Sequence, residues 1–166
     1  MKSKAFTLIE ILIVIAMLGA LAVALLATLD PIEQIRKSQD AGVRNIVKEL
    51  SDGFNRYYIL KGQMMWGSTW SIYWGTITTA RATAYILPII ATGELKANFN
   101  DTAKNYYTKI YMGGEPNYVN LSFCFQPKSK SFKTDLNTMY GHIGNGTIST
   151  ITGCGTSTST CFWCAR

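Results

Sequence analysis

One stretch constrains this chain more than any other. Phe6 to Leu29 reads FTLIEILIVIAMLGALAVALLATL, 24 residues whose only charge is Glu10. As a helix it runs about 36 Å at 1.5 Å per residue, enough to cross a hydrocarbon core of about 30 Å. The 19 residues from Ile11 to Leu29 hold no charged side chain, and Thr28 is their one hydroxyl. The direct reading is a membrane-inserted helix. Lys2 and Lys4 precede it, so the positive-inside tendency leaves the N-terminus in the cytoplasm and sends the following 137 residues outside.

A cleaved secretory signal peptide shares the basic start and apolar middle. Its apolar run is about 7–15 residues long, however, and it ends at an A-x-A-like site. The run here is longer and lacks such a site followed by a polar start. Glu10 also lies inside the apolar stretch, where a carboxylate at bilayer depth costs about 3 kcal/mol. A charge kept at that cost marks a functional residue.

Beyond the span the chain is globular in composition. Over all 166 residues, 48% are apolar and 16% charged, which excludes a disordered chain. Sixteen Lys and Arg against 10 Asp and Glu give a formal charge of +6. One histidine and 10 carboxylates leave little material for a His-rich metal enzyme. No Gly-rich phosphate loop, Ser/His/Asp set or internal repeat stands out.

Asp30-Pro31 marks the exit from the apolar run, with Asp30 placed to cap a helix and Pro31 at its first position. Ile32, Ile35, Val43, Ile46, Val47, Leu50, Phe54, Tyr57 and Tyr58 then recur at three- and four-residue spacing. Glu33, Arg36, Lys37, Asp40, Arg44, Lys48 and Asp52 fill much of the other face, so the spacing predicts an amphipathic helix ending at Gly62. Residues 63–75, QMMWGSTWSIYWG, hold three of the four tryptophans and read either as a contact patch or as a loop packing aromatics on a sheet edge. Thr78 or Thr79 caps a short helix interrupted at Pro88, and the chain from Gly93 reads as loop. Residues 104–112 read as a strand, 113–117 as a turn, and 118–126 as a half-buried antiparallel strand with Val119, Leu121, Phe123 and Phe125 on one face. A turn at 127–131 leads to weaker strand signals up to residue 140. The tail, 141–166, is rich in Gly, Thr and Ser.

Four cysteines, Cys124, Cys154, Cys161 and Cys164, all lie on the outer side, where an even number favours two disulfides. Three pairings are open and spacing does not choose among them. Cys161-Phe-Trp-Cys164 also has the spacing of a thioredoxin-like redox motif, but no βαβ unit accompanies it. A zinc site lacks its second C-x-x-C pair. His142 has no acid or nucleophile beside it in a motif. Lys128, Lys130 and Lys133 form a basic turn of the kind that is either solvated or touches nucleic acid. Asn100, Asn120 and Asn145 sit in N-x-[ST] triplets, common by chance in such a chain.

The residues K-A-F-T-L-I-E followed by a long apolar run resemble the class III signal of type IV pilins and pilin-like proteins. In that family a membrane aspartic peptidase cuts before the phenylalanine and methylates the new amine. The resemblance implies a cut between Ala5 and Phe6, with Phe6 N-methylated at the mature N-terminus. It places Glu10 where the family keeps the acidic residue needed for assembly. Two departures stand out: alanine rather than glycine precedes the cut, and the family's helix-softening proline near Ala27 is replaced by Pro31, with Gly19 further in. The chemistry suits the motif. A new α-amine has a reference pKa near 8, so it is largely cationic and needs an anionic partner in an apolar bundle. Glu10, one helical turn away, can meet its own amine or, as the family implies, that of a neighbouring subunit.

The resemblance therefore implies an α+β pilin-like fold: one long N-terminal helix packed on a small antiparallel sheet, with a disulfide-stapled C-terminal region. The expected organisation is leader 1–5, apolar helix 6–29, amphipathic continuation 30–62 and head 63–166. Because the family often closes its C-terminal region with a disulfide, Cys124–Cys164 nested around Cys154–Cys161 is the expected pairing. The implied function is structural and not enzymatic: a pilus-like filament subunit without cofactor. The alternative is a pseudopilin of a secretion system, and a membrane-anchored oxidoreductase using Cys161 and Cys164 is a third class. Expected partners are copies of the chain itself, the prepilin peptidase, an ATP-driven assembly machine and, before assembly, the membrane.

Overall fold

The structure, a computed structural model, describes residues 6–28, 30–66, 74–114, 121–143, 147–151, 154 and 161–165. The chain divides into two compact units, Met1–Ile35 and Arg36–Arg166.

Two helices account for the N-terminal third. Helix α1 spans Leu8–Thr28 and α2 spans Pro31–Lys61. Local chemistry sets the break. Pro31 cannot donate to a preceding turn, and the Asp30 carboxylate accepts the Glu33 N–H at 3.1 Å as an N-cap. At the far end Gly62 adopts φ 68°, and its N–H returns to the Tyr58 carbonyl at 2.8 Å. A side chain at that φ would be strained, so Gly62 terminates α2 cleanly.

Within the second unit, α2 buries Asp40, Val43, Val47, Leu50, Ser51, Gly53 and Phe54. Full burial of each large apolar side chain among them is worth about 1.5–3 kcal/mol as an upper value. Gly53 permits a close approach: a Cβ there would stand 2.7 Å from Leu95 Cδ2. The Arg56 guanidinium reinforces that contact, pairing with the Glu94 carboxylate at 3.1 Å and also donating to its carbonyl.

The sheet is four-stranded and antiparallel, in the order β1 (Gly75–Thr76), β2 (Ile110–Gly114), β3 (Leu121–Phe125) and β6 (Trp163–Ala165). Strands β4 (Tyr140–Ile143) and β5 (Thr147–Thr150) form a separate hairpin, bridged to the sheet edge through Tyr140 and Phe162. One sheet face, with Ile110, Met112, Phe123, Phe125 and Trp163, belongs to the same core as the inward residues of α2. The Phe54 and Phe123 ring centroids are 5.0 Å apart. The opposite face is closed by a second cluster in which Trp74, Tyr111, Phe162 and Tyr140 surround Cys124 and Cys164. Strand β3 is consequently buried at every residue, not on alternate residues as its pattern predicts.

Three further differences from the sequence reading have physical causes. Thr78 does cap helix α3 (Thr79–Ala91), accepting the Arg81 N–H at 3.3 Å. Pro88 does not interrupt it, because residues Ala82–Ile86 widen into a π-turn in which the Leu87 N–H reaches the Ala82 carbonyl. The added residue accommodates a ring that would otherwise press on the previous turn. Residues 104–109, expected as strand, instead continue α4 (Phe99–Ala103) as a 3-10 helix, Lys104–Lys109, and extended structure starts only at Ile110. A short helix α5, Lys130–Lys133, stands where a turn was expected, with Ser129 accepting the Phe132 N–H. The expected strand residues 118–120 lie outside the described residues.

Candidate functional site

The N-terminal segment is built around a reciprocal cap. Thr7 precedes α1, and its hydroxyl accepts the Glu10 N–H at 3.4 Å. Glu10 answers in the other direction: its Oε2 accepts the Thr7 N–H at 3.2 Å and the Thr7 hydroxyl at 3.1 Å. This is a capping box, in which two first-turn donors are satisfied by the pair of side chains. Such caps contribute about 1 kcal/mol in water, and an unmet N–H costs more in hydrocarbon. The pattern Thr-x-x-Glu ahead of an apolar run was present in the sequence as the signal for Thr7, which the sequence reading passed over.

The 20 residues Leu8–Ala27 have a mean hydropathy of 2.8, and none is buried within the chain. Phe6 is 76% exposed and Leu8 83%. A surface apolar but for Glu10, with no partner among the described residues, is stable in lipid or against other helices, not in water. Phe6 and Glu10 both lie at its start, whereas Ala5 and the other residues of the expected leader lie outside the described residues.

The four cysteines are brought together in the second unit. Cys124 and Cys164 face each other across β3 and β6 and are bonded, with Cα atoms 4.1 Å apart. Cys154 is bonded to Cys161, with Cα atoms 5.7 Å apart. The bonds close loops of sequence separation 40 and 7, for which loop-closure entropy gives about 4 and about 2 kcal/mol. Cys161 and Cys164 belong to different bonds, so the C-x-x-C spacing does not form a redox couple.

The other sequence-flagged residues scatter. His142 is in β4, its backbone paired with Ile148. Asn100 accepts the Tyr107 hydroxyl at 3.1 Å, while Asn120 and Asn145 lie outside the described residues. Of the tryptophan-rich segment, Trp66 packs edge-on to Tyr85 and Trp74 stacks on Tyr111, so these two serve the head's own packing. Trp70 lies outside the described residues. Among the described residues no group of three metal-binding side chains occurs.

Asp40, counted on the polar face of α2, is 3% exposed. Its Oδ2 accepts the backbone N–H groups of Lys128 at 2.9 Å and Ser129 at 2.7 Å. Its position was a signal: 40, 43, 47, 50 and 54 form one helical stripe, and four of the five are apolar.

Residues 1–26 match the family model described as the prokaryotic N-terminal methylation motif. Neither curated proteins nor solved structures offer a match to the chain. The capped apolar rod and the matched motif coincide, so residues 1–26 carry the class III signal of type IV pilins.

Proposed function

We propose that this protein is the structural subunit of a type IV pilus-like extracellular filament. Before assembly it sits in the cytoplasmic membrane with its head outside. A prepilin peptidase cuts it between Ala5 and Phe6 and methylates the new amine, and an ATP-driven machine then draws it into a helical polymer of itself. The observation that carries this reading is the N-terminal rod: 20 residues with none buried, Glu10 near the start their one charge, all but the last within the matched motif.

The physical logic supports polymerisation. A helix as apolar as lipid gains little from burial when it leaves lipid for other helices, so packing and specific polar contacts must select its partners. Glu10 supplies one. In a neighbour's bundle its carboxylate meets the cationic amine of Phe6 and fixes the axial register where the charges coincide. Extraction from the membrane needs an external energy source for the same reason.

N-terminal sequencing and intact-mass measurement on protein sheared from the cell surface test the proposal. Expected are chains beginning with N-methyl-Phe6 in a filamentous fraction. Processed chains confined to the envelope would identify a pseudopilin instead. Chains beginning at Met1 and present only as single subunits would overturn both.

A further inference from the structure

A recess of about 370 Å³ opens in the second unit between the start of α2 and the chain leading into α5. It is lined by Arg36, Gln126, Pro127, Lys128 and Lys133. All three cationic residues are exposed, and their side chains enter no hydrogen bond or ion pair among the described residues. No carboxylate lines the recess among those residues. Asp40 is the near anion, but it is buried and its Oδ2 is engaged by the Lys128 and Ser129 N–H groups. Three positive charges held around one concave surface, with an amide donor from Gln126, suit the oxygens of a phosphate diester.

Chain length restricts where that phosphate comes from. Arg36 follows Thr28, the last residue of α1, by eight residues, and α2 is helical from Pro31. Three extended steps and five helical ones span at most about 18 Å, however the two units are arranged. The headgroup layer occupies about 5–7 Å of that reach, and screening acts over about 8 Å at physiological ionic strength. The cations are thereby tethered beside a membrane surface.

We infer that the Arg36–Lys128–Lys133 recess seats the phosphate of anionic lipid headgroups while the subunit waits in the membrane. The inference rests on the membrane-anchored stage proposed above. It gives the waiting head a preferred side towards the bilayer, and drawing the subunit into a polymer releases the contact.

The full chain, reconstituted in phosphatidylcholine vesicles with or without phosphatidylglycerol, tests this. After flotation, lysines are acetylated with a membrane-impermeant reagent and labelling rates are read by mass spectrometry. With phosphatidylglycerol, Lys128 and Lys133 are expected to react about fivefold more slowly, the effect of one favourable surface charge contact, and Lys61 at an unchanged rate. High salt or Arg36→Gln is expected to reduce the protection. Equal rates in the two vesicle types overturn the inference while leaving the anchor standing. Protection by inorganic phosphate or by a DNA duplex on phosphatidylcholine vesicles, with none from phosphatidylglycerol, assigns the recess to another anion and overturns it too. Failure to float with either vesicle type overturns the membrane anchor and this inference together.

Discussion

Helices α1 and α2 follow each other in sequence and obey different rules. In α1 the apolar residues go all the way round and none is buried, while α2 hides seven residues along one stripe and keeps charges elsewhere. The contrast shows what each sequence is fitted to. The stripe of α2 matches a surface made by its own chain, in Phe123 and its neighbours. The uniform surface of α1 has no complement among the described residues, and its one charge lies at the end where Thr7 and Glu10 meet. A substitution in α2 therefore acts on folding, and under the proposed function one at Glu10 acts on what the folded chain joins.

The sharpest way to break this division is Glu10→Ala. Leaving a partner charge unpaired in an apolar bundle costs about 3–5 kcal/mol, so filament yield should fall at least tenfold. Membrane insertion and the thermal unfolding of the head should not change. Quantifying sheared filaments against the membrane fraction decides it, and wild-type yield would remove Glu10 from assembly. Next in size is Asp40→Ala, which strands two backbone donors and should lower head stability by about 2–4 kcal/mol in denaturant unfolding. Asp40→Asn, which keeps an acceptor, should recover part of that loss, and filament register should be unaffected in either variant that folds.

The smallest effect is at high pH. Burial pushes the Tyr107 hydroxyl up to about 12 from its usual 10. The unfolded chain then loses its proton first as pH rises. Stability associated with Tyr107 is fully present below pH 10 and is lost as pH climbs through about 12. Melting temperature measured from pH 9 to 12 should fall less steeply for Tyr107→Phe than for the natural chain.

What could be read from the sequence is what short-range chemistry fixes. Asp30-Pro31 as a helix start, Gly62 as a helix end and the Thr78 cap all depend on a few adjacent residues. The apolar rod and Glu10 were equally plain, because length and a single charge need no tertiary context. Long-range partners were not legible. Strand β3 looks half-buried until Trp74 and Phe162, distant in sequence, cover its second face. Lys104–Lys109 has the aromatic content of a strand, yet it follows α4 into a 3-10 turn that buries Tyr107. Cysteine spacing left three pairings open, and only the register of β3 against β6 sets Cys124 opposite Cys164. Asp40 looked solvated because its partners are backbone amides, which no residue pattern advertises.

The last strand, Trp163–Ala165, is attached to the sheet by three register pairs and one sulfur–sulfur link. Without it, the backbone of Phe123–Phe125 is left as a raw border open to strand addition from another molecule. The Cys124–Cys164 bond therefore fastens in place the short strand that covers that border.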